Sequence, residues 1–128
     1  MVYAEIVIDG AGEPGSDEIQ NASWIKVVKN TNHALVQILE KDLDEGESAA
    51  IALAIELKAD YLLIDEKLGR QIALNHNVKP LGVLGVLLRA KQAKMIDLVT
   101  PLMDRLRTEA VFFIHQSLYD FVKQEAGE

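Results

Sequence analysis

The chain has 128 residues, is 49% hydrophobic, contains no cysteine and carries a formal net charge of −7. This length predicts one domain with a sizeable core, and the lack of cysteine excludes disulfides, thiolate metal ligands and a cysteine nucleophile. The acidic balance argues against a protein that holds nucleic acid mainly by neutralising phosphates. No apolar run approaches the roughly 20 residues that cross a bilayer, and the start MVYAEIVIDG lacks the pattern of a signal peptide. We therefore expect a cytoplasmic protein that is not bound to a membrane.

The first third of the chain predicts short elements. We expect a short helix or strand from Val2 to Ile8, and a loop from Asp9 to Glu18, where Gly, Pro and Ser are concentrated. The stretch from Trp24 to Val28 alternates apolar and polar residues and is rich in β-branched side chains, which predicts a strand. A helix is predicted through ALVQILEK.

The strongest helix signal is LDEGESAAIALAIELKAD, residues 43–60. Asp44 is the predicted N-cap, and Glu47, three residues later, completes a capping box. The segment YLLI that follows is short and apolar throughout. This composition is typical of a strand that is covered on both faces in a parallel sheet.

The rest of the chain continues the alternation of helices and strands. We predict short strands around 78–81 and at VFFI, and helices at these places: from Glu66 to about His76, over GVLGVLLRAKQAK with Gly82 and Gly85 in its first turn, from Asp97 to about Glu109, and from about Gln116 to Gln124. Strands that alternate with helices indicate the α/β class with a mainly parallel sheet. We treat residues 1–128 as a single domain.

Two carboxylates invite a functional interpretation beside a structural one. Asp65 stands at the end of the YLLI strand, and ligands of open parallel sheets bind at the carboxyl ends of the strands. Asp65 could equally cap the helix that follows, which would stabilise it by ~1 kcal/mol. Glu47 could be a partner of Asp65 at a site, or only the capping-box partner of Asp44. The sequence leaves both questions open.

The run from Leu43 to Val99, with GE before an alanine-rich helix, LLID before GR, and GVLGVL before AK, resembles the PIN-like domain family. VYAEIVIDG and AVFFIHQSLYDFVKQ extend the resemblance to nearly the whole chain. The resemblance implies a three-layer α/β domain, a parallel sheet flanked by helices. It also implies a metal-dependent ribonuclease that uses Mg²⁺ or Mn²⁺, often the toxin of a toxin–antitoxin pair, with RNA as substrate and an antitoxin protein as partner.

The resemblance also implies which residues act. Glu5 matches the acid of the family's early VxxE segment, Glu47 the acid that opens the long helix, and Asp65 the acid after the LLI strand. These three are the predicted catalytic residues and metal ligands, and Arg70 is the predicted substrate-binding residue. Glu5 could instead be a solvated helix residue, and Arg70 could pair with Asp65 or Glu66 rather than with a phosphate.

One departure from the family pattern concerns the first strand and its metal-binding Asp, which do not precede MVYAEI. We therefore expect an incomplete sheet and a metal site with one carboxylate fewer. We also expect a homo-oligomer, because exposed strand edges and apolar faces need cover. Two functions follow: a metal-dependent ribonuclease, or a non-catalytic PIN-like protein that acts by oligomerisation or by binding a partner protein.

Overall fold

The computed structural model of the protein describes residues 2–128. Among them, a π-helix, Ala4–Asp9, precedes seven α-helices and two short strands. The α-helices are α1 (Ser16–Asn21), α2 (His33–Leu39), α3 (Glu45–Glu56), α4 (Lys67–Asn75), α5 (Val83–Gln92), α6 (Thr100–Thr108) and α7 (Gln116–Glu125), and the strands are β1 (Leu62–Leu63) and β2 (Pro80–Leu81).

The chain divides into two compact units. The first unit comprises the chain up to Leu62 together with Glu66–Pro80, and the second comprises Leu63–Asp65 together with Leu81–Glu128. The first unit therefore contains the π-helix and α1 to α4, and the second contains α5 to α7. Among residues 2–128, no helix is both long and apolar enough to span a bilayer.

The two strands pair in parallel. The Leu62 N–H donates to the Lys79 carbonyl at 2.9 Å, and the Ile64 N–H donates to the Leu81 carbonyl at 3.2 Å. Both donors and both acceptors are two residues apart, as in a parallel ladder. The predicted α/β class is confirmed, with a small sheet in a helix-rich chain. Leu63 is 68% exposed, so the expectation that YLLI is covered on both faces is wrong.

Two predicted strands do not form. Residues 24–28 and 111–114 lie outside the two strands, although both are rich in β-branched and aromatic side chains. Trp24 is 81% exposed and Val27 is 62% exposed. A period of two shows which side chains an extended backbone would bury, but a strand also requires a ladder partner. In the part of the chain that the structure describes, the only sheet is the β1–β2 pair.

The predicted helices form close to their expected bounds, and a side chain caps α2, α3, α4 and α7 locally. The π-helix replaces the helix-or-strand alternative of the N-terminal segment, and α1 begins at Ser16 inside the predicted loop. The largest apolar contribution to the first unit comes from α3, which packs on α2 and buries Ile51, Ala52 and Ala54. The interior of α3 is rich in alanine, which favours a helix.

Three helices end at a non-glycine residue with a left-handed backbone: Lys58 after α3, Asn77 after α4 and Lys94 after α5, with φ of 50°, 60° and 58°. In each case the N–H of the next residue donates at 2.9 Å to the carbonyl five positions earlier. Such Schellman ends usually employ glycine, because a Cβ is crowded in this conformation. The two lysines therefore occupy positions where glycine would be more stable.

The second unit has its own apolar core. Leu84 of α5, Val99, Met103 of α6, Ile114 and Val122 of α7 are buried together, and Val99 and Met103 have no exposed surface. The three helices are thus held by one cluster to which each contributes a side chain.

The side chain of Glu128 accepts hydrogen bonds from the start of α6 and from Lys91 of α5. Its Oε2 accepts from the Lys91 Nζ at 2.9 Å and from the Val99 N–H at 2.8 Å, and its Oε1 accepts from the Thr100 N–H at 3.0 Å. These N–H groups have no acceptor inside their helix. The hydrogen bond from Val99, followed by those from Lys91 and Thr100, lowers the pKa of Glu128 to about 2.

Candidate functional site

The start of α3 positions two of the carboxylates in the first unit. Asp44 is the N-cap, and its Oδ1 accepts from the Glu47 N–H at 2.7 Å. The Asp44 backbone N–H in turn hydrogen-bonds to the Glu47 carboxylate. This reciprocal arrangement confirms the predicted capping box. It also holds the half-buried Glu47 side chain at the N-terminus of α3.

Burial raises the pKa of Glu47 above its ordinary value, and the carboxylates of Asp44 and Glu66 raise it further. The hydrogen bond from the Asp44 backbone opposes these effects. A carboxyl group surrounded by other carboxylates holds its charge at a cost, because like charges disfavour ionisation. A cation near Glu47 would relieve this repulsion.

Gly46 leaves a space between the carboxylates of Asp44 and Glu5, and Glu5 is a further acidic residue of the same unit. A side chain at this position would begin 3.4 Å from the Asp44 Oδ1 and 3.6 Å from the Glu5 Oε1. Glu5 lies on the π-helix and is exposed. The fold therefore brings Glu5 and Asp44 to the two sides of Gly46, next in sequence to Glu47.

The start of α4 contributes Glu66 to the first unit. Glu66 is the N-cap, and its Oε2 accepts from the Gly69 N–H at 2.9 Å. Arg70, on the first turns of α4, is exposed and makes no ion pair with any residue from 2 to 128. The predicted pairing of Arg70 with Glu66 therefore does not form, and the guanidinium faces solvent.

Asp65 lies in the second unit and has a different role from the predicted cap. Its Oδ1 accepts from the Val83 N–H at 2.9 Å. Val83 is the first residue of α5, whose N-cap, Gly82, has no side chain to accept this bond. The interpretation of Asp65 as a cap of the next helix is wrong, because Glu66 caps α4 and Asp65 satisfies the start of α5. Among residues 2–128 the other Asp65 oxygen accepts no hydrogen bond, so it is available to accept one or to bind a cation.

The donor set suits a hard divalent cation in its chemistry. Carboxylate oxygens are the ligands that Mg²⁺ and Mn²⁺ prefer, and Gly46 leaves room between two of them. The grouping is looser than a closed site: across residues 2–128, no three His, Asp or Glu side chains are arranged to hold one ion. The side chains of Glu5 and Glu47 would have to turn toward a common point.

Sequence reasoning missed two members of this acidic group, Asp44 and Glu66. The sequence predicted Asp44 only as a helix cap, and Glu66 only as the first residue of a helix and a possible partner of Arg70. The available signal was the position of each residue at a helix start: Asp44 precedes EGES and Glu66 precedes KLG. Two helix starts that approach one another bring their caps together, but the sequence does not reveal the approach.

A helix-rich α/β chain with a small parallel sheet, and with carboxylates gathered at helix starts, defines a domain that presents oxygen donors to solvent. The family model of the PIN domain matches residues 1–128. The chain belongs to the PIN-domain family, which confirms the resemblance and gives the chain a nuclease-like fold. No curated protein and no solved structure matches the chain.

Proposed function

We propose that the protein is a metal-dependent ribonuclease of the PIN type, in which Glu47 and Glu5 bind Mg²⁺ or Mn²⁺ and RNA is the substrate. The observation that carries the proposal is the uncompensated acidic group of the first unit. Among residues 2–128, none of Glu5, Asp44, Glu47 and Glu66 forms an ion pair. Membership of a family with a nuclease-like fold makes a divalent cation the natural counterion.

A divalent cation bound to carboxylates lowers the pKa of a bound water and stabilises negative charge on a phosphate. Glu47 contributes a carboxylate whose raised pKa gives it a stronger affinity for a positive charge than an ordinary glutamate has. The Asp44 backbone orients this carboxylate. The exposed guanidinium of Arg70 would contact a phosphate oxygen of the RNA. Asp65 stays a predicted ligand on the resemblance alone.

Calorimetric titration of Mn²⁺ into the purified protein tests the proposal. We expect saturable binding that is lost in Glu47→Gln, a substitution that preserves the shape of the capping box. The matched control is Glu45→Gln, which removes one charge from the same first turn of α3 and should bind Mn²⁺ as the wild type does. Asp65→Asn reports separately whether that carboxylate takes part. Equal binding by the Glu47 and Glu45 variants would contradict the proposed site.

A second candidate is a non-catalytic PIN domain that binds a partner, such as an antitoxin-like protein. The engagement of Asp65 with the Val83 N–H favours it, because one oxygen of a predicted ligand already has a structural partner. This candidate predicts no saturable Mn²⁺ binding in any of the variants. Binding in the wild type together with loss in Glu47→Gln would rule it out.

A further inference from the structure

The segment 111–115, between α6 and α7, has the side-chain pattern of a strand. Ile114 is 5% exposed and Phe112 is half-buried, whereas Val111 is 85% exposed and Phe113 is 84% exposed. Successive side chains therefore point alternately toward the core of the second unit and toward solvent, as in a pleated strand. Val111 itself has a left-handed backbone, with φ of 51°, which is rare for a β-branched residue.

Only part of the backbone of this segment has hydrogen-bond partners among residues 2–128. The Phe112 N–H donates to the Leu106 carbonyl at 2.8 Å, and the Ile114 carbonyl accepts from the Arg107 guanidinium at 2.9 Å. Between them, neither the N–H nor the carbonyl of Phe113 has a hydrogen-bond partner among residues 2–128. In an extended backbone, these two groups lie on the side opposite to the Phe112 N–H. No charge and no proline lies between 111 and 114. An unprotected edge of this kind is a template for another strand.

We propose that segment 111–115 pairs antiparallel with the same segment of a second copy, about a two-fold axis beside Phe113. In a hydrogen-bonded antiparallel pair, the two opposite residues exchange both of their N–H···O bonds. One axis therefore satisfies the free N–H and carbonyl of Phe113 in both copies. The contact is isologous, with Val111 of one copy opposite His115 of the other.

The exposed apolar area is consistent with a weak dimer. Phe121 and Leu118 lie three residues apart on α7, on one helix face, and are 55% and 42% exposed. With Val111 and Phe113, they offer roughly 500 Å² of apolar surface per copy, taking about 200 Å² for a whole phenylalanine. Small transient interfaces bury less than about 600 Å² per partner. The contact therefore falls at the small end of specific interfaces.

Charge also favours this unit as the contact. The second unit contains six Lys and Arg residues and seven Asp and Glu residues, so it carries −1 of the chain's −7. Pairing through segment 111–115 brings two nearly neutral units together, with little like-charge repulsion. The inference does not depend on ribonuclease activity.

Single-cysteine variants test the pairing directly, because the chain has no cysteine of its own. In the proposed dimer the two Phe113 Cα atoms lie about 5.5 Å apart, within the range of about 4.4–6.8 Å that a disulfide spans. We expect Phe113→Cys to form a disulfide-linked dimer on mild oxidation. Met95→Cys is the matched control, since Met95 is 78% exposed in the same unit, and it should not form a disulfide-linked dimer.

Sedimentation equilibrium from about 1 μM to about 1 mM measures the association, over the range expected for a small interface. We expect a dimer whose dissociation constant rises by about ten-fold or more in Phe113→Pro, which removes the pairing N–H, and by less in Phe113→Ala, which keeps it. Circular dichroism checks that both variants fold. A monomer throughout the series overturns the proposal, as does equal cross-linking of the two cysteine variants or an unchanged dissociation constant in Phe113→Pro.

Discussion

The contacts of Glu128 predict that its carboxylate stabilises the fold in a pH-dependent way. Its carboxylate, 9% exposed, accepts two backbone N–H groups at the start of α6 and the Lys91 ammonium, all at 2.8–3.0 Å. These hydrogen bonds, from Val99 first, lower its pKa from 4.5 to about 2. Because the folded pKa lies below the unfolded one, the carboxylate stabilises the fold above about pH 4.5, and this stabilisation is lost as pH falls toward about 2.

Thermal melts of the wild type and Glu128→Gln, followed by circular dichroism from about pH 7 to about pH 3, measure this contribution. We expect the variant to melt lower at neutral pH, and the gap between the two proteins to shrink as the pH falls below about 4.5. Glu125→Gln is the control, because Glu125 is an exposed acid at the same end of α7. A gap that is absent at neutral pH, or one that does not change with pH, would refute the role of the carboxylate.

Three further predictions concern stability, each measured by urea unfolding. Lys94→Gly should stabilise the protein by about 0.5–1 kcal/mol, because glycine relieves the left-handed backbone after α5; destabilisation would contradict this. Met103→Ala should destabilise by about 2–5 kcal/mol, because Met103 has no exposed surface, whereas Leu98→Ala, at a residue that is 52% exposed, should cost much less. Asp44→Ala should cost about 1 kcal/mol through loss of the α3 cap, and Asp42→Ala, with no capping bond, should be nearly neutral; equal losses would refute the cap.

The helices were predictable from the sequence because their signals are local. Asp44 and Glu47 mark the start of α3 within four residues, and the α3 bounds follow from them. The start of α4 was also predicted, although its cap proved to be Glu66. Such signals involve backbone groups only a few positions away in the sequence. They can therefore be identified without knowledge of the rest of the fold.

The strands and the candidate site could not be predicted in the same way, because they depend on residues that are distant in the sequence. Residues 24–28 and 111–114 have the β-branched and aromatic side chains typical of strands, but they lack a strand to pair with in the described chain. In the same way, Asp65 finds its hydrogen-bond partner 18 positions away at Val83, because Gly82 cannot cap α5. The sequence around Asp65 does not predict this hydrogen bond. The approach of Glu5 to Gly46 is equally invisible in the sequence.

The central claim is that Glu47 serves a metal-dependent ribonuclease. Cleavage of a fluorescently labelled single-stranded RNA, with Mn²⁺ and with a chelator in its place, tests it most directly. The account predicts cleavage by the wild type and by Glu45→Gln that requires Mn²⁺, and a rate at least about 100-fold lower in Glu47→Gln, since even groups that only support a metal ligand cost about 10–100-fold when removed. Cleavage that survives the chelator, or equal rates in the Glu47 and Glu45 variants, would contradict it.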